Sequence, residues 1–130
     1  MSKLLTSSGR LQYLENFKLN IEVDEQIVEF AKYLVPKYIG LRKQKYKPHI
    51  TVIRNEIISN LNKWGLYHDT IINFQYDNYI YNDDNYYWLR AFCPKLNEIR
   101  LELGLPISSQ YSRAPDNFES FHITIGNTKR

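Results

Sequence analysis

Lys47-Pro48-His49-Ile50-Thr51-Val52-Ile53 and, later in the chain, Ser120-Phe121-His122-Ile123-Thr124-Ile125-Gly126 carry the same tripeptide between apolar flanks. One His-X-Thr has little weight, because a lone histidine is more often a satisfied polar residue than a reactive one. Two carry much more. With three His and five Thr in 130 residues, chance gives two His each followed by Thr at the second position in roughly 0.4% of shuffled chains, even before the shared Ile is required. The flanks predict strands, 49–54 for the first motif and 121–127 for the last. Alternation along a strand puts His49, Thr51 and Ile53 on one face and Ile50 and Val52 on the other. Each motif thus presents an imidazole beside a hydroxyl. An imidazole has an unperturbed pKa of about 6.5 and can give or take a proton near neutrality. A hydroxyl at its side can donate a hydrogen bond to developing negative charge.

Working outward, residues 13–23 alternate through Phe17, Leu19, Ile21 and Val23 as a half-buried strand. Asp24 then opens a helix over 25–35, with Ile27, Val28, Ala31, Leu34 and Val35 at helical spacing and Pro36 as its stop. A short helix over 59–64 closes at Gly65, and 70–81 reads as a long strand. The turn Asn82-Asp83-Asp84-Asn85 leads into a returning strand over 86–93, with Leu89, Ala91 and Cys93 on one face and Trp88 and Arg90 on the other. Pro94 starts a second helix that ends at Gly104-Leu105-Pro106. The order strand, helix, loop, His-Ile-Thr strand occurs twice, and Tyr13 and Tyr86 each lie 36 positions before their histidine. The predicted architecture is α+β and bilobal: two antiparallel-sheet lobes, helices outside, and the motif strands on opposite sides of a central cleft. Residues 1–130 form a single domain, with 1–10 as a candidate flexible end.

The composition fits a folded enzyme-sized domain, with 43% hydrophobic and 24% charged residues. Neither a bilayer-spanning apolar run nor a signal-peptide core is present, so the expectation is a soluble cytoplasmic protein with no membrane partner. Lone Cys93 can form no intrachain disulfide and reads as a small buried apolar residue. The net charge of +3 is mild, but Lys37, Arg42, Lys43, Lys45 and Lys47 crowd together just ahead of the first motif. That run could hold a phosphate or be a solvated loop. HExxH, a Cys/His cluster and a complete calcium loop are all missing, so no metal and no cofactor is expected.

Lys-Pro-His49-Ile-Thr51-Val-Ile and Ser-Phe-His122-Ile-Thr124-Ile-Gly resemble the 2H phosphoesterase superfamily, which is named for two His-X-Thr or His-X-Ser motifs with apolar flanks. The likeness extends over the organisation of the chain from about residue 13 to 127. It implies a bilobal fold with a cleft, and metal-independent cleavage of cyclic phosphates or 2′,5′ linkages. It also implies catalysis by His49 and His122, with Thr51 and Thr124 holding phosphate oxygens. Tyr46-Lys-Pro-His49-Ile-Thr51-Val-Ile-Arg54 and Phe121-His122-Ile-Thr124-Ile-Gly-Asn127 also look like a family of small phage proteins. Superfamily members act on RNA 2′,3′-cyclic ends, ADP-ribose cyclic phosphate or signalling oligonucleotides, and the motifs do not choose among these.

The candidate substrate-binding residues are Tyr46 and Lys47 ahead of the first motif, Tyr111 and Arg113 ahead of the second, and Trp88 and Arg90 on the returning strand. Trp88 is placed to stack a base and Arg90 to bind phosphate, against a plain sheet-packing role for both. His68 has no Thr two positions on and reads as a surface histidine, and Arg54 falls on the face away from His49. The functional expectation is a phosphodiesterase whose partner is a nucleotide or an RNA end, with no obligate protein partner. An RNA-end processor and a viral enzyme degrading a cyclic-nucleotide or 2′,5′-oligonucleotide immune signal both fit. The alternative is a nucleotide- or RNA-binding module that keeps the cleft with little or no catalysis.

Overall fold

The computed structural model describes residues 4–107 and 120–129. In chain order these form β1 (Leu4–Leu14), β2 (Lys18–Glu22), α1 (Glu25–Tyr33), β3 (His49–Ile53), β4 (Ile71–Asp77), β5 (Tyr81–Asn82), β6 (Tyr86–Phe92), α2 (Pro94–Glu102) and β7 (Phe121–Asn127), with short 3-10 turns between some of them. All strand pairings are antiparallel, in the order β4-β1-β2-β3-β7-β6-β5. A further pairing of β4 with β6, through Gln75↔Phe92 and Tyr76↔Ala91, closes the sheet into a barrel. The α+β class stands. The motif strands, however, are neighbours in one continuous sheet, joined at Ile50↔Ile123.

The apolar alternates supply the reason. Leu11, Leu19, Ile21, Ile50, Leu89, Ile123 and Ile125 are almost fully buried in one cluster together with Val28 and Ala31 of α1 and Leu96 and Ile99 of α2. Each of the Leu, Ile and Val side chains contributes about 1.5–3 kcal/mol by leaving water. The helices are crossed between the two halves, since α1 packs against β7 and α2 against β3. Both motif strands are therefore backed by a helix from the other repeat, which opposes separation into independent lobes.

Local signals set the helix ends. The Asp24 side chain accepts from the Gln26 N–H at 2.9 Å to cap α1, and Pro94 begins α2, where a missing N–H is harmless. Gly104 ends that region with φ +83, and a Cβ there would also collide with the Ser59 side chain.

Several sequence expectations need correction. The strand expected over 13–23 is the end of β1, a 3-10 turn at Glu15–Phe17 and then β2; β1 itself begins at Leu4, inside the stretch left as a candidate flexible end. Tyr13 lies in β1, a strand without a counterpart at Tyr86, so the equal 36-residue spacings are not structurally equivalent. The strand expected over 70–81 breaks after Asp77, whose Oδ1 accepts from the Tyr79 N–H at 2.8 Å and turns the chain before β5. Leu61–Lys63 is a 3-10 turn rather than an α-helix.

Arg100 was not anticipated. It is fully buried in α2. Its Nε donates to the Pro106 and Ile107 carbonyls at 2.8 and 3.1 Å, its Nη1 to the Val52 carbonyl at 2.8 Å, and the Glu56 carboxylate takes a bidentate pair at 2.7 and 2.8 Å. The guanidinium thus ties the strand just past Thr51 to the segment that follows α2.

Candidate active site

Because Ile50 pairs with Ile123 in antiparallel register, His49 stands opposite Thr124 and Thr51 opposite His122. The four side chains form a two-by-two block on the face away from the apolar core. Directly opposite positions in such a ladder have Cβ atoms about 4.5–5.5 Å apart, and diagonal ones about 7–8 Å. The histidines occupy one diagonal and the threonines the other. Each imidazole has a hydroxyl along its own strand and another across the ladder.

Both motif strands carry the same irregularity. In the β2–β3 ladder Leu19 pairs with Ile53 and Asn20 with Thr51, so Val52 is an extra residue. In the β6–β7 ladder Tyr87 pairs with Gly126 and Trp88 with Thr124, leaving Ile125 extra. A bulge thus follows each motif threonine. Bulges end the simple alternation and sharpen the local twist. Here the first one turns Ile53 into the core, where it is fully buried, instead of leaving it beside His49 and Thr51 as strict alternation predicted. Gly126 is required just past the second bulge, because a Cβ there would press on the Arg42 carbonyl and the Leu41 side chain. In that arrangement Arg42 and Asn127 exchange backbone hydrogen bonds at 2.7 and 3.0 Å, and the basic loop is pinned to the end of β7.

The histidines differ in surroundings. His49 is half-buried, and its Nδ1 lies 2.8 Å from the Lys47 carbonyl. A carbonyl only accepts, so Nδ1 carries hydrogen and Nε2 is the atom free to exchange a proton. Across the β2 ladder it faces Glu22, while Thr51 faces Asn20. His122 faces Arg90 across the β6 ladder and stacks on Trp88, with ring centroids 5.0 Å apart and planes 25° apart. Burial, followed by the charge of Arg90 and opposed by Asp83, lowers the His122 pKa to about 4. His122 is therefore neutral at physiological pH.

Of the other candidates, Trp88 and Arg90 lie on the motif face and are 5% and 6% exposed. One face of Trp88 is taken by His122, and the Arg90 guanidinium lies 3.8 Å from the Tyr81 ring centroid. Tyr46 is 69% exposed, with the Lys45 ammonium 5.7 Å from its ring, and Lys47 is also exposed. Tyr111 and Arg113 lie outside the described residues. His68 is exposed, its Nδ1 accepting from the Tyr13 N–H at 3.2 Å, and Cys93 is buried. Among the described residues, no three His, Cys, Asp or Glu side chains gather where they could hold a metal ion, and no helix is long and apolar enough to cross a membrane.

A family model described as Swiss Army Knife, 2H phosphoesterase domain, matches residues 11–130, which include both motifs and the ladder between them. The chain is a 2H phosphoesterase. No curated protein and no solved structure matches it. Membership makes phosphoester cleavage the class of chemistry for this 2H domain.

Four polar residues escaped sequence reading. Asn20 and Glu22 become visible only once strand register is known. Ser120 carried one signal, its position two residues before His122, just ahead of β7. Arg100, on the other side of the sheet, stands four residues after Leu96 on a helix face that otherwise reads as apolar, a break in pattern that could have marked it.

Proposed function

We propose that this 2H domain is a metal-independent phosphodiesterase that hydrolyses a cyclic or 2′-linked phosphate in a nucleotide or RNA end. The observation that carries the reading is the diagonal His49/His122 pair with a threonine hydroxyl beside each imidazole. Neutral His122 accepts the proton of the attacking water as its oxygen bonds to phosphorus. The bond to the leaving oxygen breaks, and His49 delivers a proton to that oxygen through Nε2. Thr51 and Thr124 donate hydrogen bonds to the non-bridging oxygens, where negative charge grows in the transition state. Solvent exchange then returns each imidazole to its starting state. Degradation of a cyclic-nucleotide or 2′,5′-oligonucleotide immune signal by a viral enzyme is one setting for this chemistry.

The test is hydrolysis in excess EDTA of 2′,3′-cyclic nucleotides, an RNA with a 2′,3′-cyclic end, 2′,5′-oligoadenylate and cyclic di- and trinucleotides. Turnover of at least one by wild type, absent in His49→Ala and His122→Ala, is the expected result. Tight binding of one without any turnover would overturn the enzyme reading in favour of a nucleotide-binding module.

A further inference from the structure

The mechanism above uses the two histidines and two threonines and leaves two other buried groups close to the second motif without a role. The indole Nε1 of Trp88 and the hydroxyl of Ser120 are both shielded from solvent with no hydrogen-bond partner among the described residues. Trp88 and Ser120 are 5% and 8% exposed. A buried donor left unpaired is destabilising by about 1–3 kcal/mol, so such groups are uncommon and call for an explanation.

Their positions supply one. Ser120, the residue just ahead of β7, precedes His122 by two positions and Thr124 follows it by two, so a hydroxyl residue flanks the imidazole in sequence on either side. Trp88 pairs with Thr124 across the ladder and its ring lies against the His122 ring. Arg90 stands directly opposite His122 and supplies positive charge. Neutral donors around a fixed positive charge suit an oxyanion. The first-motif side offers the reverse: Glu22 opposite His49 and Asn20 opposite Thr51 put a carboxylate where an anion would be repelled.

We propose that Ser120 Oγ and Trp88 Nε1 bind the non-bridging oxygens of the substrate phosphate on the β6–β7 side of the block. The leaving oxygen is thereby turned toward His49. This assignment rests on the phosphodiesterase reading for the identity of the ligand, but not for the binding itself. It gives Trp88 a polar role in place of base stacking. The unpaired N–H is then a binding group, and the ring face stays against His122.

The test is calorimetric titration of the full chain with inorganic phosphate at pH 7, using wild type, Ser120→Ala and Trp88→Phe. The Phe variant keeps an aromatic ring against His122 and lacks the donor, at the cost of a smaller ring, which the melting temperature monitors. Loss of one hydrogen bond to a charged ligand weakens binding by roughly tenfold or more. That weakening in both variants, with melting temperatures near wild type, is the expected result. The same pair should lower kcat/KM by a similar factor on any cyclic phosphate the wild type cleaves, without moving the pH profile. Wild-type phosphate affinity in both variants, or no phosphate binding by the wild type, would overturn the proposal. Hydrolysis by wild type combined with full phosphate affinity in the variants removes this inference and leaves the enzymatic reading. Variant-sensitive phosphate binding without hydrolysis does the opposite. If Trp88→Phe misfolds, Ser120→Ala decides alone.

Discussion

The two halves of the block begin from the same tripeptide, on the same kind of strand, each followed by a one-residue bulge, yet they differ chemically. Around His49 the neighbours are a backbone carbonyl, Glu22 and Asn20; around His122 they are Trp88 and Arg90. The motif determines which groups are present. The adjacent strand determines what they do. β2 is short and exposed on its polar positions, which leaves His49 half in water, whereas β6 is buried along most of its length and brings an aromatic ring and a cation against His122. A pseudo-symmetric scaffold thus places two like imidazoles in unlike surroundings, as the proposed one-directional proton transfer requires.

The strongest way to break the comparison is to remove either member. His49→Ala and His122→Ala are each expected to lower kcat/KM by about 10²–10⁴-fold, the usual contribution of a positioned acid or base. Circular dichroism should show both variants folded, since neither imidazole belongs to the apolar cluster. Next in size is the tie between the halves. Arg100→Ala leaves the Glu56 carboxylate and the Val52 carbonyl without their partner, and the expected loss of stability in urea unfolding is roughly 3–5 kcal/mol. Replacing both members of the pair, as Arg100→Met with Glu56→Leu, should recover much of that loss.

The buried neutral state of His122 gives a pH test. In the unfolded chain His122 reverts to about 6.5, whereas in the folded protein it titrates at about 4. Between those values the unfolded state holds the extra proton. Stability from this residue is therefore complete above about pH 6.5, falls as pH drops toward 4, and levels off below that. The difference corresponds to about 3 kcal/mol. Urea unfolding of wild type and His122→Gln at pH 7 and pH 4 should show the variant gaining about that much relative to wild type on acidification. An unchanged difference would refute the buried neutral state. The smallest effects belong to the hydroxyls: Thr51→Val and Thr124→Val should each lower kcat by about tenfold or somewhat more, with little change in melting temperature.

Much of this was readable from residue patterns because it depends on short-range signals. The Asp24 cap, Pro94 at the start of α2 and the span of β7 all follow from residues a few positions apart, and the motif face follows from two-residue alternation. β1 was missed because its only buried side chain is Leu11; Ser7, Ser8 and Gly9 break any apolar period, and its strand character comes from pairing with β4 some sixty residues away. The bulges were invisible because Val52 and Ile125 look like ordinary apolar alternates. Separate lobes were expected because a repeat suggests independent units, but the crossed packing of α1 on β7 and α2 on β3 is a long-range property. Asn20 and Glu22 join the face only through cross-strand register.

The account stands most directly on the claim that His49 and His122 act as one unit. The decisive measurement is kcat/KM in EDTA for His49→Ala, His122→Ala and the double variant on the best-cleaved cyclic phosphate. The account predicts that the double variant is scarcely worse than either single one, because losing one member already disables the pair. Losses that multiply, or a single variant with near wild-type turnover, would contradict it.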